Sequence, residues 1–194
     1  MSTFQLYLQL GVSHIADFKG YDHILFITTL CAVYLFKQWK QVLVLVTAFT
    51  IGHTTTLALA TLHIIHFPSR WIEFFIPITI FIAAVGNMFE RNDMVKPGSQ
   101  HFKYGTAMFF GLIHGLGFSF YLRSLLGMEH SIVLPLFAFN VGIELGQMMI
   151  VAVVLMLTHI LVNWIGFARR EWSLVLSGAG MGVSLVLILQ RVPW

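Results

Sequence analysis

The sequence predicts an all-α, polytopic transmembrane helical bundle, and three observations predict it. The chain of 194 residues is 58% hydrophobic and only 10% charged, whereas soluble domains carry about 25% charge. Its mean hydropathy is +0.84, and no water-soluble core of this size could hide so many Phe, Leu, Ile and Val side chains. The apolar residues also fall in runs of the length a helix needs to cross a bilayer, about 20 residues. Lipid is therefore the expected solvent, and the bilayer the first expected partner.

Taken in order, the first element is Asp22–Phe36, short by itself but preceded by the apolar stretch Phe4–Phe18, with Gly20 between them. Together they read as a broken first helix. A 15-residue N-terminal piece rises only about 22 Å, so about six spans are expected, or seven if that piece crosses alone. The stretch from Met1 to Leu10 holds no Lys or Arg and no small-residue cleavage pattern, so the first helix is expected to stay in the mature protein. Five further spans follow: Val42–Ile65, Trp71–Phe89, Tyr104–Leu126, Ile132–Val162 and Trp172–Leu189. The connections are short and turn-like, as in Phe67-Pro68-Ser69 and Lys96-Pro97-Gly98-Ser99, so residues 1–194 form one integral membrane domain. Trp39, Trp71, Trp164, Trp172 and Trp194 all fall near span ends, where interfacial aromatics concentrate.

The loops orient the bundle. Lys37, Lys40, Arg91, Lys96, Lys103, Arg169 and Arg170 fall on one side, and Lys19, Arg70, Arg123 and Arg191 on the other. By the positive-inside tendency the first group faces the cytoplasm, and both ends of a six-span chain lie outside. The net charge of +3 is scattered rather than clustered, which excludes a nucleic-acid partner. Cys31 is the single cysteine, so there is neither an intrachain disulfide nor a thiolate metal cage. The composition is compatible with a homo-oligomer.

Charge inside a bilayer costs at least about 2.5–3.5 kcal/mol per central residue, so ionisable groups there need partners, water or a ligand. Asp17, Asp22, Glu73 and Glu144 fall within or at the edge of spans, as do His14, His23, His53 and His114. Each lies between the expected midplane and the external face, which points to one polar chamber opening outward. Asn140, Glu144 and Gln147 recur at i, i+4 and i+7 on one helical face. Thr47, Thr50 and Thr54 line another stripe beside His53. Asn140, Gln147 and the threonines fit interhelical hydrogen bonding as well as they fit a site, and Glu73 also suits a helix N-terminus. His63, His66 and His130 read as outer-loop residues, and His101 and His159 as cytoplasmic-side surface residues. Imidazole with carboxylate suits Ni, Zn, Cu, Fe or Co, and the absence of a Cys or Met ligand motif argues against soft copper(I). Glycine pairs Gly111/Gly115, Gly142/Gly146 and Gly178/Gly182 allow close helix approach.

Four ordered motifs carry a resemblance. His14-Ile15 with Gly20-Tyr21-Asp22-His23-Ile24-Leu25-Phe26, and Phe49-Thr50-Ile51-Gly52-His53-Thr54-Thr55-Thr56-Leu57, are similar to the HupE/UreJ family of bacterial membrane proteins. So are Phe110-Gly111-Leu112-Ile113-His114-Gly115-Leu116-Gly117-Phe118 and Phe139-Asn140-Val141-Gly142-Ile143-Glu144-Leu145-Gly146-Gln147. The resemblance spans about residues 10–150. It implies a hydrogenase or urease accessory role, a nickel permease activity and a place in the bacterial cytoplasmic membrane. Carried over position by position, it implies His14, Asp22, His23, His53, His114 and Glu144 as metal ligands, and the reading of the spans adds Asp17, Glu73, Asn140 and Gln147 in support. The expected function is a transporter for a divalent transition-metal ion. An intramembrane metalloenzyme acting on a lipid-like substrate is the alternative.

Overall fold

The computed structural model describes residues 2–90, 97–126 and 131–194. They form seven α-helices and no strand. These are α1 (Thr3–Ile15), α2 (Asp22–Cys31), α3 (Trp39–Thr61), α4 (Ser69–Phe89), α5 (Pro97–Leu126), α6 (Val133–His159) and α7 (Arg169–Gln190). A 3-10 turn at Phe36–Gln38 leads into α3, and a π-helical turn at Ile160–Trp164 prolongs α6. Five segments are long and apolar enough to cross a membrane: Phe36–Thr61, Ser69–Phe89, Gln100–Leu122, Val133–Trp164 and Arg169–Gln190. The chain is a multi-pass membrane protein. Arg91, Lys96 and His130, which entered the loop reading above, lie outside the described residues, as does the side chain of Arg123.

The N-terminal segment is broken, as expected, but in a different place at its far end. Helix α1 opens on a capping box, Ser2 Oγ accepting from the Gln5 amide at 3.3 Å and Gln5 Oε1 from the Ser2 amide at 3.1 Å. It stops at Ile15, and Asp17 Oδ1 closes a turn on the Lys19 amide at 2.8 Å. Helix α2 ends at Cys31 rather than running to Phe36. The unwound stretch is held from outside, since Arg169 donates to the Val33 carbonyl at 2.8 Å and Tyr34 Oη to Gln100 Oε1 at 3.2 Å.

Contacts fix the helix directions. Tyr7 reaches the Leu125 carbonyl and His14 the ring of Phe118, so α1 runs opposite to α5. Asp22 meets Arg191 and Thr29 meets Gly180, so α2 runs opposite to α7. Arg170, at the start of α7, donates to the carbonyls of Asn87, Met88 and Glu90, capping the end of α4. Hence α1, α2, α4 and α6 point one way and α3, α5 and α7 the other. Lys103 pairs with Glu90 at 2.6 Å, placing Lys103, Arg169 and Arg170 at one end of the bundle, called here the basic end.

Two pairs of parallel helices pack backbone to backbone. A Cβ on Gly11 or Gly142 would collide with the carbonyl of Phe139 or Leu8, and so joins α1 to α6. Gly52, Gly111 and Gly115 join α3 to α5 in the same manner, against Met108, Phe49 and His53. Gly178 and Gly182 meet nothing within 4 Å, so the glycine-pair expectation holds for two of its three pairs.

Candidate metal centre

The glycine contacts position the histidines. Gly52 and Gly111 bring α3 against α5, which carries His53 and His114 inward beside each other's helix. Gly11 and Gly142 bring α1 against α6, which places His14 at the same depth. Helix α2 begins where α1 stops and delivers His23 between them. The rings lie 4.6 Å apart for His14 and His23, 5.8 Å for His14 and His53, 5.8 Å for His23 and His53, and 5.4 Å for His23 and His114. His14, His23 and His53 each offer a nitrogen such that all three lie within 4.8 Å of one another.

Five ring nitrogens here are buried without a protein partner: Nε2 of His14, Nε2 of His23, Nδ1 and Nε2 of His53, and Nδ1 of His114. A buried polar group left unpaired costs about 1–3 kcal/mol, and a neutral imidazole has one donor and one acceptor to satisfy. Such a cluster is expensive unless something occupies it. Metal–nitrogen bonds are about 2.0–2.1 Å long, so donors on one ion stand no more than about 4.2 Å apart. The three histidines fit a transition-metal cation with a small inward movement.

His114 differs from the other three. Its Nε2 lies 2.9 Å from Thr79 Oγ1, and that hydroxyl donates in turn to the Ile76 carbonyl at 2.7 Å. Pro77 follows within the same turn of α4. A proline has no N–H to give the carbonyl four residues back, which here is that of Glu73. Arg191 Nη1 lies 3.5 Å from that freed oxygen.

A cavity of about 230 Å³ opens from the imidazoles toward the end opposite the basic one, lined by Asp17, Asp22, Glu73, His114 and Arg191 among others. Asp22 Oδ2 accepts from Arg191 at 3.0 Å, while its Oδ1 is buried and unpaired. Toward the basic end the space is filled. Phe26, Phe49 and Phe110 each stand one turn from a histidine on that side, packed 4.9 Å and 6.0 Å apart by ring centroid. Phe49 lies 5.2 Å from His114.

The structure thus brings together His14, His23, His53 and His114, with Asp17, Asp22 and Glu73 around the same cavity. Glu144, Asn140 and Gln147 do not line it. Phe139 and Ile143 occupy the α6 face turned to α1, and Glu144 lies about 100° further around the helix, facing α3. There Glu144 Oε1 accepts from Thr47 at 2.6 Å, Asn140 Oδ1 from Thr54 at 2.6 Å and Gln147 Oε1 from Thr50 at 2.8 Å. The three polar side chains expected in the chamber bind α6 to α3 instead. Sequence reasoning had assigned Thr79 and Arg191 no site role. Thr79 could have been suspected from its place two residues after Pro77, but Arg191 gave no signal beyond its charge.

No curated protein and no solved structure matches the chain. The model of one family, described as HupE / UreJ protein, matches residues 1–191. The match covers the long apolar helices and every imidazole of the cluster, so the chain belongs to the HupE / UreJ family.

Proposed function

We propose that this protein carries a divalent transition-metal ion across the bacterial cytoplasmic membrane, nickel being the cargo the family suggests. The reading has the chain cross six times, α1 and α2 together making the first crossing, with the basic end in the cytoplasm. The cation enters the outward-opening cavity past Asp17, Asp22 and Glu73 and is held by His14, His23 and His53, with His114 beside them. Glu144, Asn140 and Gln147 keep the α3–α6 seam closed.

The observation that carries this reading is the set of buried, unpaired ring nitrogens on four different helices. A break in a helix at the site supports it, because discontinuous helices are a recurrent way for carriers to build ion sites at membrane depth. A metalloenzyme acting on a lipid-like substrate would use the wider space of about 680 Å³ that His14, Asp17 and Phe118 also line, whereas the carrier reading rests on the charged lining of the cavity of about 230 Å³.

The test is uptake of radioactive nickel into vesicles holding the purified protein, beside equilibrium binding in detergent. Saturable uptake that His23→Ala and His53→Ala abolish is expected. Uptake at the rate of protein-free vesicles would rule the proposal out. A metal held through dialysis with no uptake would favour the enzyme.

A further inference from the structure

The chain carries the same pattern twice. Gly11, His14 and Phe18 recur 100 positions later as Gly111, His114 and Phe118, and Phe49 and Gly52 recur 90 positions later as Phe139 and Gly142. The contacts repeat with the residues. A Cβ on Gly11 would strike the Phe139 carbonyl and the Ile143 amide nitrogen, and one on Gly111 would strike the Phe49 carbonyl and the His53 amide nitrogen. A Cβ on Gly142 would strike the Leu8 carbonyl and one on Gly52 the Met108 carbonyl. Leu8 and Met108 each precede their glycine by three. His14 lies 5.8 Å from Phe139, and His114 5.2 Å from Phe49.

Helix α1 runs opposite to α5, and α3 opposite to α6. The operation relating the pair α1/α6 to the pair α5/α3 therefore turns the molecule upside down. The antiparallel neighbours α4 and α7 complete two halves, α1–α3–α4 and α5–α6–α7, with α2 continuing α1. Such inverted halves can exchange conformations around a fixed site, opening it to one side and then the other.

The two halves are not in the same conformation. Helix α5 is continuous through Phe118, whose ring lies 3.9 Å from His14. Helix α1 ends before Phe18, which is 87% exposed. His14 stands with His23 and His53, whereas its counterpart His114 is bonded to Thr79. His23 lies between the two, 4.6 Å from one and 5.4 Å from the other.

We propose that the chain is an inverted repeat in which His14 and His114 are alternate ligands of one travelling cation, on either side of His23. The proposal rests on the transport reading. In the conformation described, His14 stands with His23 and His53 and would hold the cation on its side of His23. When the halves exchange conformations, His114 leaves Thr79 for the cation, and α1 swings away about the unwound residues 16–21. The step is ligand exchange only, with no change in oxidation state.

The experiment uses the full chain and Ni²⁺ itself, measuring equilibrium binding in detergent and uptake into vesicles. His14→Gln is expected to weaken binding about tenfold or more, since even residues that only support a metal ligand are worth that much. His114→Gln, whose amide can keep the Thr79 bond, is expected to bind within about threefold of the parent and to lose uptake. Equal loss of binding in both variants would mean one static four-histidine site, and unchanged uptake in His114→Gln would mean His114 is no ligand. Either result overturns the inference while leaving transport standing. A parent protein that neither binds nor moves Ni²⁺ overturns both readings. A second measurement does not depend on the variants folding equally well. Spin labels at exposed Leu6 on α1 and Tyr121 on α5, with Cys31 replaced by Ala, should report two distances whose populations shift with Ni²⁺. A single distance unmoved by Ni²⁺ overturns the exchange of halves.

Discussion

His53 is fully buried and neither of its ring nitrogens meets a protein partner, so His53→Leu separates the needs of the fold from those of the site. Leucine is close to imidazole in volume, and such swaps cost less than about 1.5 kcal/mol in packing. Removing the unpaired donor and acceptor returns about 1–3 kcal/mol. The metal-free variant is therefore expected to be more stable than the parent by up to about 2 kcal/mol. At about 2–4 °C per kcal/mol for a chain of this size, that raises the melting temperature by a few degrees. The parent should gain about 2.7 kcal/mol when Ni²⁺ is added at about 100 times its dissociation constant. The variant, one imidazole short and weaker by about tenfold or more, should gain about 1.4 kcal/mol or less at the same concentration. The assay is thermal unfolding of the purified protein in detergent, with and without Ni²⁺ and with chelator as the reference. A variant that melts below the metal-free parent and responds to Ni²⁺ as fully as the parent would show that His53 is a structural residue, and the argument from unpaired nitrogens would be refuted.

Further expectations follow from single contacts. Gly52→Ala and Gly111→Ala each drive a methyl into a backbone carbonyl and should destabilise the α3–α5 pair by about 1–3 kcal/mol, read by melting or by loss of a monodisperse chromatographic peak. Gly182→Ala meets nothing within 4 Å and should raise stability slightly through helix propensity. Arg170→Ala strips the cap from the end of α4 and should lower the melting temperature, with faster hydrogen exchange confined to the last turn of that helix. Glu144→Gln keeps an oxygen for Thr47 and should leave Ni²⁺ affinity within about threefold. A loss of tenfold or more would show that the carboxylate reaches the cation.

Composition and run length made the helical membrane fold legible, because both follow from the solvent rather than from tertiary detail. The histidines were legible for a related reason: an imidazole in a lipid-facing run costs too much to be there without a purpose. The helical period alone could not divide the polar residues between two sites. Glu144 and His53 look equally buried in a linear reading. Only the packing of Gly142 on α1 fixes the rotation of α6 and turns Glu144 toward Thr47. Past the end of α2 at Cys31 the Val33 carbonyl takes its hydrogen bond from Arg169, which donates to it from 136 positions away. No local signal in residues 22–36 reports that. The repeated Gly-x-x-His-x-x-x-Phe pattern was visible in the letters at Gly11 and Gly111, but its meaning required the directions of the helices that carry it.

The phenyl rings of Phe26, Phe49 and Phe110 have a consequence for the energy economy of the cell. Imidazoles close together in a wet passage are good proton relays, and a row of water molecules reaching both faces would short-circuit the gradient that the membrane stores. The three rings pack against one another on the basic side of the imidazoles, and on the transport reading they interrupt the row of water that would otherwise pass hydrogen ions beyond the histidines. Phe49→Ser should accordingly let vesicles lose an imposed pH difference, with or without nickel present, and intact retention of that difference would show that the barrier lies elsewhere.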